Sequence, residues 1–352
     1  MKNINIILTG AGAPGIQGTI YSLRNNYDNR RINIIGTDVS DFVVGKYLCD
    51  KFYQISSAKN TENYLHDILK ICEKEKVDVI LPQNTAELPI LSANIELFND
   101  KGIKVAVSKA DAIKTANNKY KLFEKAKKLN IQIAESYLVT NFNNLKSKAT
   151  QLGWPNEKIV VKPPVSNGSR GVRIVSEDYN RKEAFYNEKP SSLNTTLNEL
   201  HSVLGDEFPE LIVMEYLPGD EYTVDVFRDK NYLISIPRKR INIRSGITFA
   251  ASLEKNEKLI NHSNALAKAI NLNYCFGFQY KISKYGKPLL LESNPRIQGT
   301  MIMSTLANAN IIYSSVKSLL DEKIPIFDIQ WKTKLLRYWG AIGINNYGIT
   351  KI

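Results

Sequence analysis

Ile4–Leu8 is a short apolar run that stops at glycines, as a strand buried on both faces does. Ile16–Arg24 follows with helical spacing, and Ile32–Gly36 repeats the strand pattern before Asp38. Leu65, Ile68 and Leu69 place Thr61–Lys74 on a helix. Val77–Leu81 is a third strand, halted at Pro82; Glu87–Asn99 is helical, and Ile103–Val107 is a fourth strand. Strands alternating with helices in this way predict a doubly wound parallel sheet over residues 1–112.

Beyond residue 112 the pattern changes. Asn117–Leu129 is an amphipathic, lysine-rich helix, Glu135–Val139 a strand, Phe142–Leu152 a helix and Lys158–Lys162 a strand. A glycine- and serine-bearing loop from Pro163 to Gly171 leads into the strand Val172–Val175. The polar stretch 177–210 holds one helix, about Ser192–Val203, and reads as a mobile insertion. Strands Leu211–Tyr216 and Glu221–Arg228 flank a Pro218-Gly219-Asp220 turn, and Tyr232–Ile243 adds one or two more. Lys258–Ile270 is a helix, Cys275–Ile282 and Pro288–Ser293 form a hairpin-like pair, and Met301–Leu320 is largely helical. The expected division is an α/β domain over 1–112, then an α+β region split into 113–190 and 191–352.

Composition narrows the function classes. The 352 residues include 47 Lys plus Arg against 35 Asp plus Glu, a net charge of +12. Hydrophobic residues at 43% exclude wholesale disorder, yet no apolar run approaches the ~20 residues of a spanning helix. The N-terminus leads into a strand without a signal-peptide core, so a cytoplasmic location is expected, with no membrane partner. Cys49, Cys72 and Cys275 are far apart, which excludes a disulfide framework and a cysteine zinc site. The positive charge is either an anion-binding surface or solvated helix lysine. No aromatic-interleaved basic motif supports nucleic acid as a partner.

Four constellations carry candidate chemistry. Gly10-Ala11-Gly12-Ala13-Pro14-Gly15 matches G-x-G-x-x-G between strand and helix, with Asp38 ending the next strand. It is either a dinucleotide turn or a bend that needs glycine for steric reasons, and Pro14 favours the latter. Lys162 ends an apolar strand and precedes Ser166, Asn167, Gly168 and Gly171, a point charge followed by a loop able to close over phosphates or to be a plain hairpin turn. Glu292 and Asn294 share a strand face, and Gln279 lies on the paired strand. Three hard oxygen donors suit Mg²⁺, and Arg296 could clamp an anion. Finally, Glu215-Tyr216-Leu217 runs into a bend that can offer backbone groups to an adenine edge, with Glu221 beyond it for ribose hydroxyls.

Two further sets are weighed against plain structure. Arg238, Arg240 and Arg244 are two and then four positions apart and so share a strand face, which is read as a phosphate or substrate-carboxylate site against a solvated basic strand, the reading that Pro237 favours as a mark of an edge. Asn84, Thr85 and Glu87 follow the third strand, where they either bind substrate or cap the next helix. Asp225 is read as a strand acid facing the nucleotide, and His66, His201 and His262 as structural.

Taken in order, these residues resemble the ATP-grasp superfamily, closest to the branch with biotin carboxylase and the carbamoyl-phosphate synthetase large chain. The resemblance makes 113–190 and 191–352 the small and large grasp subdomains. It implies ATP and Mg²⁺, with Mn²⁺ as alternative metal, and adds Lys119 as a nucleotide contact. It implies phosphorylation of a carboxylate to an acyl phosphate, then attack by an amine or related nucleophile. Gln279, Glu292 and Asn294 would hold the metal, while Lys119 and Lys162 would neutralise phosphate oxygens. Arg296, Lys162 and Arg240 would act at the reaction centre, with Arg238 and Arg244 toward substrate. With one grasp unit and no evident glutaminase or biotin carrier, a stand-alone ligase on small-molecule carboxylate and amine substrates is expected, with a homodimer as the assembly to test. A bicarbonate-phosphorylating enzyme and a non-catalytic nucleotide-binding protein are the alternatives.

Overall fold

The computed structural model describes residues 2–166, 168–189, 192–338, 340–345 and 348–351. Asn167, expected in the phosphate loop, lies outside the described residues. The chain forms two compact units: Met1–Ala116, Glu221–Gln279 and Ser293–Ile352 make the first, and Asn117–Asp220 with Tyr280–Glu292 the second.

The N-terminal part of the first unit holds β1 (Ile4–Thr9), α1 (Ile16–Arg24), β2 (Ile32–Asp38), β3 (Lys51–Gln54), α2 (Thr61–Glu75), β4 (Val79–Leu81), α3 (Leu88–Ala93), α4 (Ile95–Asn99), β5 (Lys104–Val105) and α5 (Ala110–Asn117). Among the described residues the strands run in order β3-β2-β1-β4-β5, all parallel. Alternation sends Ile4, Ile6 and Leu8 to one face, against Ile16, Ile20 and Leu23 of α1. Ile7, Ile35 and Ile80 go to the other, against Tyr64 and Ile68 of α2 and Leu88 of α3. Both faces are covered, as the apolar runs required. The helix expected over 87–99 is broken at Asn94 into α3 and α4. β3 carries no apolar run because it is an edge strand with Lys51 and Gln54 exposed.

The second unit holds α6 (Lys119–Lys128), β6 (Ser136–Asn141), α7 (Phe142–Gln151), β7 (Ile159–Lys162), β8 (Arg173–Val175), α8 (Arg181–Asn187), β9 (Asn194–Thr195), α9 (Leu197–Leu204) and β10 (Glu207–Glu215). Its sheet runs β6-β10-β7-β8-β9. Leu211 and Val213 face Leu145 of α7 and Leu200 of α9; Ile212 and Met214 face the opposite way, toward Leu217 and Leu289. The stretch 177–210, read as an insertion, supplies α8, β9 and α9, and a capping box of Thr196 and Glu199 starts α9. Because β10 lies between β6 and β7, this sheet extends past the expected boundary at residue 190.

The rest of the first unit holds β11 (Glu221–Arg228), β12 (Leu233–Arg244), β13 (Ile247–Leu253), α10 (Glu257–Ile270), β14 (Tyr274–Ile282), β15 (Pro288–Asn294), α11 (Ile302–Leu306), α12 (Ile311–Leu319) and β16 (Lys334–Leu336), and the unit boundaries fall inside β14 and β15. The sheet order is β15-β14-β11-β12-β13-β16. β12 is therefore interior, and Pro237 opposite Val224 does not mark an edge. β13 escaped the sequence reading because β12 turns into it through two residues only: Ser245 and Gly246 both have positive φ, the geometry of a tight hairpin. Among the described residues no helix is long and apolar enough to cross a membrane.

The turn after β1 is glycine-rich for packing. A Cβ on Gly15 would lie 2.6 Å from Gly299 Cα, a backbone atom that cannot move aside. Asp38 Oδ2 accepts from the Gly12 amide at 2.8 Å, so the acid that ends β2 holds this turn. Gly15→Ala is expected to destabilise the chain by about 1–3 kcal/mol through overpacking. Thermal denaturation measures this; an unchanged melting temperature would contradict the close approach.

Candidate functional site

In the second unit, Lys162 ends β7 with 6% exposure, its ammonium 5.7 Å from the centre of the Phe123 ring on α6. Lys119 begins α6 and is also buried. Its Nζ donates to Ser166 O at 3.0 Å and Ser166 Oγ at 3.3 Å, and lies 3.4 Å from Glu292 Oε2. The sequence placed Lys119 and Glu292 173 positions apart; the fold makes them an ion pair. Glu292 follows the apolar run Leu289-Leu290-Leu291 and is half-buried, and Lys119 is the charge partner its carboxylate has there. The loop after β7 bends through left-handed residues at Gly168, Ser169 and Gly171. A Cβ on Gly171 would come within 2.7 Å of Pro163, so this position requires glycine.

The strand end expected to face adenine has a defined polarity. The amides of Glu215 and Tyr216 donate to Glu135 O and Lys158 O at 3.1 and 3.3 Å. The Glu215 carboxylate turns back to accept from the Glu135 amide at 3.0 Å. Of the three residues, only the Leu217 amide lacks a protein acceptor among the described residues.

In the first unit, the arginines resolve into separate roles. Arg238 is 2% exposed and makes a two-point contact with Asp225, itself fully buried, at 2.8 and 3.3 Å. Asp225 is thus a core counter-ion and does not face a nucleotide. Burial pushes its carboxyl up, and Arg238 opposes that shift. Arg240 has all three guanidinium nitrogens engaged, by Thr248 Oγ1 at 2.8 Å, Gly246 O at 2.7 Å and the Glu221 carboxylate. Arg244 is exposed, 4.7 Å from the Phe249 ring centre, and bulges interrupt β12 between it and Arg240. The acid that the clustered arginines demanded is internal: Asp225 and Glu221 supply it.

Two residues the sequence reading missed stand beside Arg238. Gln298 Oε1 accepts from Arg238 Nη2 at 2.9 Å, which fixes the amide orientation. Arg337 donates to Pro14 O at 3.0 Å and to Gly299 O. Burial, then the charge of Arg238, pushes the Arg337 guanidinium down. Arg238 Nη1, Gln298 Nε2 and Arg337 Nε are buried donors without an acceptor among the described residues. Gln298 was reachable from its spacing of two after Arg296; Arg337 carried no local signal.

Arg296 is half-buried, and its Nε donates to Thr85 Oγ1 at 3.0 Å. Glu87 is buried and makes no side-chain cap on α3, so its carboxyl does not serve the helix start. Asn84 is exposed, with Oδ1 accepting from the Ala86 amide. Gln279 and Asn294 are half-buried on neighbouring strands, and Glu292 shares β15 with Asn294 two positions away. One carboxylate and two amide oxygens are hard donors of the kind Mg²⁺ takes, so the residue types fit a metal that shares its shell with phosphates.

Residues 207–335 match a family model described as ATP-grasp in the biosynthetic pathway with Ter operon, and residues 6–106 match the PylC-like N-terminal domain. The carbamoyl phosphate synthase large chain of Clostridium acetobutylicum is 26% identical over 273 residues, covering 74% of this chain and 24% of that one. The protein of the same name from Clostridium botulinum strain Kyoto is 25% identical over 73% of this chain and 23% of its own length. This chain thus spans about a quarter of those relatives. The fold is similar to N5-carboxyaminoimidazole synthetase from Staphylococcus aureus solved with ADP: TM-score 0.66, 15% identity, 93% of this chain and 80% of that one. It is also similar to the biotin carboxylase–βγ-ATP complex from Campylobacter jejuni: TM-score 0.67, 17% identity, 93% and 73%.

Proposed function

We propose a reaction for this chain, which belongs to the ATP-grasp superfamily: it phosphorylates a small-molecule carboxylate with ATP and joins the resulting acyl phosphate to an amine. The observation that carries the reading is the buried set of Arg238, Gln298 and Arg337 donors without acceptors among the described residues. Buried donors call for acceptors, and a donor-only set with two guanidinium groups calls for an anion. A carboxylate and the acyl phosphate made from it are both such anions.

The parts divide by charge. A γ-phosphate and a carboxylate repel, so positive charge must be fixed where the two meet. Lys119 and Lys162 are buried, which keeps their ammonium groups in place against phosphate oxygens. Ser166, Gly168 and Gly171 offer the loop backbone to the phosphates, and the Leu217 amide offers a donor to adenine. Glu221, oriented by Arg240, faces ribose hydroxyls. Bound Mg²⁺ or Mn²⁺, held by Gln279, Glu292 and Asn294, would supply charge neutralisation of the phosphates. Arg296, braced on Thr85, stabilises the transferring phosphoryl group. Arg238, Gln298 and Arg337 hold the carboxylate. We place the work in the cytoplasm, with a homodimer as the assembly and no nucleic-acid partner.

The test is ADP and phosphate release with ATP–Mg²⁺ over a panel of amino acids, sugar acids and bicarbonate. Release that depends on an organic carboxylate, and then on an amine, is expected. Release with bicarbonate alone would overturn this version in favour of the bicarbonate reading, which the carbamoyl phosphate synthase relatives favour. ATP binding with no release under any condition would support the non-catalytic alternative.

A further inference from the structure

The carboxyl ends of β1 and β4 hold a buried network that the anion chemistry above does not use. Parallel α/β sheets bind ligands beyond the strand ends where the strand order switches direction, and here that point lies between β1 and β4. Glu87 is 5% exposed and lies beneath a turn whose Asn84 and Ala86 face solvent. Its carboxylate accepts from Thr9 Oγ1. Thr9 Oγ1 accepts in turn from the Gln83 amide at 3.2 Å, and Gln83 Oε1 accepts from Thr19 Oγ1 at 2.5 Å. Thr37, level with Thr9 on β2, and Tyr64 on α2 present buried hydroxyls with no partner among the described residues. No cationic side chain pairs with Glu87 among the described residues. Buried carboxylates are otherwise matched by a positive charge. The same turn carries Thr85, which braces Arg296.

We propose that this strand-end network binds the amine substrate as its ammonium ion, with the Glu87 carboxylate as counter-ion and as the base that takes its proton. The proposal rests on the ligase reading, because only an amine that attacks an acyl phosphate must first be deprotonated. Burial, with a smaller push from the Asp38 charge, outweighs the Thr9 hydrogen bond and the Asn84 backbone and leaves the Glu87 carboxyl raised to about 7. Tyr64 is held well above its ordinary range by burial and then by the Glu87 charge, so it stays protonated and neutral. A base near neutrality is the efficient one at neutral pH. The ammonium gives one proton to Glu87. The free amine attacks the acyl carbon, and the C–N bond forms as the carbon–oxygen bond to phosphate breaks. Phosphate leaves with that electron pair and takes the second proton that nitrogen sheds on becoming an amide.

The test is carboxyl-carbon NMR on the full chain labelled at glutamate, titrated through neutral pH with and without methylammonium chloride. Glu87 is the signal lost in Glu87→Gln. If that variant does not fold, it is the signal whose midpoint rises in Thr9→Val, which removes the opposing hydrogen bond. We expect a midpoint near 7 that methylammonium lowers by about one unit, because a neighbouring cation favours the charged carboxylate. A midpoint in the ordinary glutamate range, or one that methylammonium leaves in place, overturns the proposal. Neither result depends on ATP turnover, so loss of the ligase reading would show separately, in the carboxylate screen.

Discussion

Glu292→Gln is expected to lower turnover by about 10³-fold while ATP still binds. Glu292 is the only carboxylate in the set read as holding the metal, beside the amide oxygens of Gln279 and Asn294. Glutamine keeps the shape and one oxygen but removes the negative charge, so the metal is held less firmly at the phosphates. The loss falls on the transition state, where phosphoryl charge is redistributed, more than on nucleotide binding. The Lys119 partnership at 3.4 Å sets the stability side. Lys119 is buried but keeps its Ser166 acceptors, and glutamine still offers it an oxygen, so the melting temperature should fall far less than for loss of a fully buried counter-ion. Steady-state ADP release and calorimetric ATP binding on the same preparation separate the effects. Unchanged turnover would refute the metal assignment.

Asp225→Ala is expected to destabilise the chain by about 3–5 kcal/mol, the range for removing one partner of a buried ion pair. Asp225 is fully buried and Arg238 is 2% exposed, so alanine leaves a guanidinium in the core without its counter-charge. Arg337 adds to the strain, since Arg238 already disfavours its positive charge. The melting temperature should fall by roughly 10 °C. The double variant Asp225→Leu with Arg238→Met removes both charges and should recover much of that stability. It should not recover activity, because Arg238 also supplies a donor to the proposed carboxylate. Recovery of both together would make Arg238 a purely structural cation.

The sheets were legible where one strand or helix buries its own apolar pattern. Ile16–Arg24 lies between the limits read for it because its buried face is set by its own spacing. β3 and β13 were not legible: the first is a polar edge, and the second hides behind a two-residue turn in what looks like one continuous run. The site divides in the same way. Lys162, Glu292, Asn294 and Arg296 sit at strand ends, where local pattern marks them. Their partners do not, because Lys119 meets Glu292, and Arg238 meets Gln298, only after distant strands are brought together. Asp225 was misplaced for this reason. Alternation could say which face it points to, but only the pairing of β11 with β12, which sets Asp225 opposite Ile236 and Arg238 opposite Thr223, brings Arg238 diagonally within reach of it. The Gly10–Gly15 turn has a phosphate-loop pattern, yet Gly15 answers to the backbone of Gly299, which no local pattern contains.

The measurement that bears most directly on the central claim follows heavy oxygen from the carboxylate. The carboxylate that supports ADP release is labelled in both oxygens, and the released phosphate is weighed by mass spectrometry. Activation through an acyl phosphate must leave one carboxylate oxygen on phosphorus, so phosphate carrying one label per turnover is the predicted result. Unlabelled phosphate, with the label wholly retained in the organic product, would contradict the account.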